Sequence, residues 1–190
     1  MEKISKLKKL FNYYNLDGYI VPKNDEFFGE YISIHKDRLN YLTNFSGSFG
    51  FALILQDKNY LFVDGRYSLQ AESESGKFFK IVTFPNKMPF DILKKKKLTI
   101  GLDPKLFTQN TLKFFFNRCN CKFKLLTNNI IDEIWKRKIK NIKSKFYKLP
   151  NNSVGKNYRY KISKIILNLR KKKKDFQLIT ASENNAWLLN

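Results

Sequence analysis

Between Tyr19 and Leu126 the chain alternates short apolar runs with segments whose apolar residues recur at helical spacing. That alternation restricts the fold more than any other feature, because each kind of segment buries a different kind of surface. Ile4, Leu7, Leu10, Phe11 and Tyr14 open the chain as an amphipathic helix. Asp17-Gly18 is a turn, and Tyr19-Ile20-Val21 is a short buried strand stopped by Pro22. A polar loop over 23–30 follows. Leu39 and Leu42 mark a short helix over 37–43. Phe51 to Gln56 and Tyr60 to Val63 flank Asp57-Lys-Asn59, which reads as a hairpin. A helix is expected over about 67–74, with Leu69 packing it down. Strands are expected at 80–84, 98–102 and 122–126, with helices near 90–95 and 108–117 between them. These elements predict an α/β fold, a mixed β-sheet flanked by helices on both faces.

That domain is expected to occupy 1–142. Pro150, Asn151, Asn152 and Gly155 mark 143–155 as a linker. A basic helix from Tyr158 to about Lys174 then leads into Asp175-Phe-Gln-Leu-Ile-Thr180, read as a strand. Helix followed by this run echoes the opening helix and Asp17-Gly-Tyr-Ile-Val-Pro22. The 156–190 segment is therefore expected to begin a second unit of similar type. One helix and one strand cannot bury an apolar face alone, so the expectation is a truncated unit.

The formal net charge is +21, and it is unevenly spread. Lys136 to Lys174 holds 16 Lys or Arg and no Asp or Glu, leaving 21 basic and 16 acidic residues elsewhere. The total therefore does not imply a global nucleic-acid surface. The runs Lys94–Lys97 and Arg170–Lys174 read as solvated faces. No aromatic residues interleave with them visibly, so nucleic acid is not the expected partner, and a basic nucleic-acid-binding module stands only as an alternative. Cys119 and Cys121, spaced C-x-C with one distant histidine, make a poor metal site and read as reduced thiols. No apolar run approaches the roughly 20 residues of a membrane span, and the charged opening Met1-Glu-Lys-Ile-Ser-Lys lacks a signal sequence. Cytoplasmic residence without membrane attachment is expected.

Three segments carry candidate chemistry. In the first loop, Asp25, Glu26 and Glu30 can do acid–base work or hold a cation, or pair structurally with Arg38 or Arg66; the pairing is the plainer expectation without a histidine nearby. His35, alone, supports neither a metal cage nor a nucleophile–base pair and is expected to face solvent or cap. Asn44-Phe-Ser-Gly-Ser-Phe-Gly50 is a tight loop with capping Ser46 and Ser48, or a backbone wall that Gly47 and Gly50 open to close approach. It lacks the Gly-Lys-Ser/Thr of a phosphate loop. Asp64-Gly65-Arg66-Tyr67 crowds polar groups at a strand end. Arg66 is expected to pair with Asp25, Glu30 or Asp64 and so to brace the neighbouring loops.

In order and spacing, three stretches resemble the amino-terminal part of the Xaa-Pro aminopeptidases: Tyr19-Ile-Val-Pro-Lys-Asn-Asp-Glu-Phe-Phe-Gly-Glu-Tyr31, Arg38-Leu-Asn-Tyr-Leu-Thr-Asn-Phe-Ser-Gly-Ser-Phe-Gly50 and Leu61-Phe-Val-Asp-Gly-Arg-Tyr-Ser-Leu-Gln-Ala-Glu72. Ala186-Trp-Leu-Leu-Asn190 resembles part of that family's second domain. The resemblance implies a creatinase/prolidase amino-terminal fold. It implies that a separate carboxy-terminal domain, absent from this chain, holds two divalent metals, usually manganese, and removes the residue preceding a proline at the second position of a peptide. None of those metal ligands carries over, so the chain alone is expected to hold no cofactor and to be inactive. The resemblance also implies a homodimer, with the amino-terminal part limiting substrate access. Asp25, Glu30, Tyr31, Arg38, Ser46, Gly47, Ser48, Gly50, Asp64, Arg66 and Tyr67 are then candidates for substrate-access or interdomain contacts. Family members often carry Asp-x-His where this chain has Asp25-Glu-Phe27, which puts any role of that histidine in doubt. A prolidase or creatinase relative is the alternative within the same fold.

Overall fold

In the computed structural model, which describes residues 2–93, 97–137, 145–150 and 152–190, the chain divides into two compact units, Met1–Ile139 and Lys140–Asn190. The first holds a six-stranded sheet. α1 (Glu2–Tyr14) buries Ile4, Leu7 and Phe11, residues one and two turns apart on a single face. β1 (Gly18–Pro22) is buried along its whole length. α2 (Arg38–Thr43) is capped by Asp37, whose carboxylate accepts from the Asn40 N–H, and it ends on Asn44 in the left-handed region at φ 65°. β2 (Phe51–Leu55) and β3 (Asn59–Asp64) form the expected hairpin. After a 3-10 turn at Gly65–Tyr67 come α3 (Ser68–Ser75) and β4 (Lys80–Phe84). α4 (Pro89–Leu93), β5 (Leu98–Leu102), α5 (Gln109–Phe116), β6 (Cys121–Leu125) and α6 (Ile130–Ile134) complete the unit.

The strand order is β4-β3-β2-β1-β5-β6. β2 is antiparallel to both of its neighbours, and the other pairings are parallel. Side chains alternate between faces with period two. Tyr19, Val21, Ala52, Ile54, Leu61 and Val63 pack with residues of α1, α2, α3 and α6. Ile20, Phe51, Leu53, Tyr60 and Phe62 pack with Leu93, Phe115 and Phe116 from α4 and α5. Phe51 stacks on Phe62 at 4.7 Å and meets Phe115 at 4.9 Å. Both faces are covered, so the central strands are apolar throughout rather than alternating.

Several expectations change. Leu69 does not pack α3 down; it is 86% exposed, and α3 is seated by Ala71 and Ser75 one turn apart. Residues 175–180 form no strand, because no second strand lies beside them among the described residues of that unit, and Phe176 and Leu178 stay exposed. The second unit shows α7 (Tyr158–Lys171) and α8 (Ser182–Leu189). α6 carried no sequence signal strong enough to place it. Part of the expected linker, 143–144 and 151, and Lys94–Lys96 of the first basic run lie outside the described residues.

Candidate functional site

The strand register brings the three motif segments to one edge of the sheet. Pro22 ends β1 opposite Phe51, which begins β2, and Phe51 lies opposite Phe62 near the end of β3. The loops after β1, before β2 and after β3 therefore emerge side by side, at the carboxyl ends of the parallel strands. Open α/β sheets place their sites at this edge. The Lys23 N–H donates to the Gly50 carbonyl at 2.9 Å and extends the ladder into the loops. Lys23 Nζ meets Asp37 at 2.6 Å, with both side chains largely buried, and closes the base of the 23–37 loop.

Arg38 is the hub of one cluster. Only 4% of it is exposed. Its Nε and Nη2 grip both carboxylate oxygens of Asp132 at 2.9 and 2.8 Å, and Nη2 also donates to Glu26 at 2.8 Å. Lys36 meets Glu26 at 2.9 Å, and Arg137 meets Asp132 at 2.7 Å. Burial works against ionisation of Glu26, but hydrogen bonds from Lys36 and Arg38 outweigh it and hold the carboxyl at about 2. An open hollow of about 370 Å³ borders this cluster, lined by Glu26, Arg38, Asp103, Lys105, Asn129 and Asp132 among others. The Tyr19 hydroxyl and Arg38 Nη1 are buried without a hydrogen-bond partner among the described residues.

A second cluster holds the glycine loop. The Ser46 N–H and hydroxyl both donate to Glu74, each at 2.7 Å, and Gln70 Nε2 donates to Ser46 Oγ and Glu74 at 2.8 and 3.0 Å. Although burial raises the Glu74 carboxyl, hydrogen bonds from Ser46 and Gln70 bring it below the usual range. The Ser48 hydroxyl meets the Tyr67 hydroxyl at 2.6 Å, and the Tyr67 ring packs edge-on against Phe45. A Cβ on Gly47 would lie 2.3 Å from Phe45 Cζ, and one on Gly50 would lie 2.7 Å from the Phe62 carbonyl oxygen. Small residues are required here for close packing within the domain.

Asp64, Arg66 and Asp25 have local roles. Asp64 accepts from the Arg66 N–H and pairs with its guanidinium at 2.7 Å. Arg66 is thus paired with one of its expected partners. It does not brace the other loops, because the pair is confined to neighbouring residues and the Arg66 side chain is 75% exposed. Arg38 performs that task. Asp25 is buried and accepts from the Phe27 N–H at 3.0 Å. Glu26, rather than Asp25, pairs with Arg38. Glu30 and Tyr31 are exposed and join neither cluster; Tyr31 is 87% exposed, and Phe27, Phe28 and Ile34 of the same loop are exposed too. Asp132, Arg137, Glu74 and Gln70 went unread in the sequence. Their contacts with Arg38, His35 and Ser46 span 24 to 102 positions, which local spacing does not reveal.

The chemistry of this edge is restricted. Neighbouring donors hold the carboxyls of Glu26, Asp64 and Glu74 below the usual range, so these three make poor proton donors near neutral pH. His35 contributes its backbone carbonyl to Arg137. Among the described residues, no group of three or more His, Cys, Asp or Glu has a geometry that holds a metal ion. No described helix is long and apolar enough to cross a membrane.

The creatinase/prolidase N-terminal domain profile matches residues 3–134. A probable Xaa-Pro aminopeptidase P of Laccaria bicolor is 28% identical across 100% of the chain, which covers 31% of that protein. Xaa-Pro aminopeptidase 1 of Dictyostelium discoideum is 29% identical across 100% of the chain and 33% of its own length. The X-prolyl aminopeptidase of Caenorhabditis elegans, described as a cytosolic enzyme with a di-nuclear active site, superposes over 98% of this chain and 34% of its own at TM-score 0.79 and 25% identity. The N-terminal domain of the Mycobacterium tuberculosis cytoplasmic peptidase PepQ shares the fold over 70% of this chain at TM-score 0.55 and 18% identity. The chain spans about a third of the length of its Xaa-Pro aminopeptidase relatives.

Proposed function

Because the chain belongs to the creatinase/prolidase N-terminal domain family, we propose that it is the non-catalytic amino-terminal region of a metal-dependent Xaa-Pro aminopeptidase. The parent enzyme would remove the residue preceding a proline from a peptide amino terminus. The observation that carries this reading is the end-to-end similarity to Xaa-Pro aminopeptidases about three times longer. The two divalent metals, manganese by family resemblance, would be held outside this chain. In such an enzyme a metal pair supplies an activated water.

In this reading the carboxyl edge is the surface turned to the catalytic domain. Arg38 and Glu74 hold the 23–37 and 46–50 loops in shape, and exposed Glu30, Tyr31 and Phe27 form the contact. The loops would limit which peptides enter the cleft. Cytoplasmic residence and a homodimer belong to the same proposal. Residence is supported by the worm enzyme being described as cytosolic.

The test assays the 190-residue chain and the longer protein that contains it, each with manganese. Substrates are an Xaa-Pro-Xaa tripeptide and an Xaa-Pro dipeptide. Cleavage is expected only from the longer protein, with the tripeptide preferred. Hydrolysis by the 190-residue chain would overturn the non-catalytic role. Preference for the dipeptide would move the assignment to a prolidase.

A further inference from the structure

The last described stretch of the first unit, Trp135-Lys136-Arg137, is fastened to α2 and to the loop before it. α6 ends at Ile134. Beyond it, among the described residues, the backbone bonds only locally: the Trp135 N–H donates to the Ile131 carbonyl, and the Arg137 N–H donates to the Trp135 carbonyl at 2.8 Å. Side chains make the longer ties. The Trp135 ring stacks on Tyr41 of α2, with 4.6 Å between centroids and 13° between planes. The Tyr41 hydroxyl donates to the Ile134 carbonyl at 3.1 Å. Lys3 of α1 lies 4.7 Å from the Tyr41 ring centroid, and the Arg137 guanidinium lies 4.7 Å from that of Trp135. Cation, ring, ring and cation thus follow in series, and the negative ring faces favour both ends.

Arg137 carries this fastening into the loop. Its Nη1 donates to the His35 carbonyl, and its Nη2 meets Asp132 at 2.7 Å. Asp132 is gripped by Arg38, Arg38 meets Glu26, and Glu26 meets Lys36. Lys36 Nζ in turn lies 4.3 Å from the Phe27 ring centroid. Among the described residues, Arg137 is the only group from outside 23–38 that hydrogen-bonds to residues 26–36. The other bonds of the loop are short turns, Asp25 to Phe27 and Phe28, and Ser33 to Lys36 and Asp37. Short turns shape a loop but do not place it on the domain. Ties made by side chains at the surface open at lower cost than a sheet enclosed by two cores.

We propose that Trp135–Arg137 is a latch on the 26–36 loop. Docked, it places the loop; lifted, it frees the loop while the sheet stays folded. Ile139, the last residue of the first unit, lies two positions beyond Arg137, so a shift of the chain past that boundary reaches the loop through Arg137. In the peptidase reading this loop helps to limit which peptides enter the cleft, but the latch stands whether or not that reading does.

The test uses the full 190-residue chain carrying Trp187→Phe, which leaves Trp135 as its single tryptophan. Amide hydrogen exchange reads the loop, and acrylamide quenching of fluorescence reads Trp135. Arg137→Ala speeds exchange across 26–36 about tenfold, the effect of losing one charge-assisted hydrogen bond, and leaves β1, β2 and β3 unchanged. Arg137→Lys keeps the charge, loses the fork and falls between. Trp135→Leu gives a second route, with the same loop-confined speed-up and an unchanged circular dichroism spectrum. Lys36→Ala loosens the loop without removing any contact of Trp135 or Arg137. Because coupling is reciprocal, it raises the quenching of Trp135, whereas purely local packing predicts no change there. Loop exchange unaltered in Arg137→Ala and Trp135→Leu, equal acceleration of loop and sheet, or Trp135 quenching unmoved by Lys36→Ala would each overturn the proposal.

Discussion

Arg38 shows how one residue decides the shape of the candidate edge. Its guanidinium is a planar fork and suits a carboxylate held by two bonds, and the Asp132 grip has that form. Arg38→Ala leaves Glu26 and Asp132 without their shared cation and is expected to cost about 3 kcal/mol in urea unfolding. Arg38→Lys keeps the charge but loses the fork and should fall between. Arg66→Ala is expected to leave the urea midpoint unchanged, because its partner is two residues away and its side chain is in water. Glu26 adds a pH dependence. Its carboxyl is held at about 2 in the fold, against about 4.3 in an unfolded chain. The depressed value stabilises the fold above pH 4.3, and that contribution is lost as pH falls toward 2. Urea midpoints between pH 5 and 2 should therefore drop less steeply in Glu26→Gln than in the parent. Glu26, Arg38 and Arg66 were all candidates in the sequence. Which acid met which base was not legible, because Asp132 lies 94 positions from Arg38.

At the scale of elements, local chemistry was read well where it is local. The hairpin, the opening helix and the strands at 80–84 and 98–102 occur where their apolar patterns place them. Leu69 was misread because α3 touches the sheet through small residues, and a single leucine in a polar helix carries no directional signal. The 175–180 run was misread because a strand is a property of a pair, and a β-like sequence without a neighbour has no ladder to join. The glycine loop gives a sharp contrast. Gly47→Ala would drive a methyl into Phe45 and Tyr67 and should cost about 1–3 kcal/mol. Gly65→Ala meets nothing within 4 Å and should leave the thermal midpoint within a degree or two. Equal effects at the two sites would refute the packing role assigned to the loop.

For the whole molecule, burial is concentrated in the first unit. Among the described residues every buried apolar side chain lies between Ile4 and Ile131. A chain ending at Arg137 therefore contains the whole sheet and its two cores, and it is expected to melt cooperatively in calorimetry. That outcome would support the proposed boundary between a folded domain and a following unit; a broad, non-cooperative transition would refute it.

The sequence by itself determined the class of fold, the hairpin and the family, because these depend on periodicity, turn residues and ordered motifs within a few tens of positions. Tertiary structure decided the rest. Strand register set Pro22, Phe51 and Phe62 in line and so gathered three distant loops at one edge. The long-range pairings of Arg38 made it the brace in place of Arg66. Contacts of this kind depend on where separate elements dock, and docking is set by burial over the whole chain rather than by the spacing of neighbouring residues.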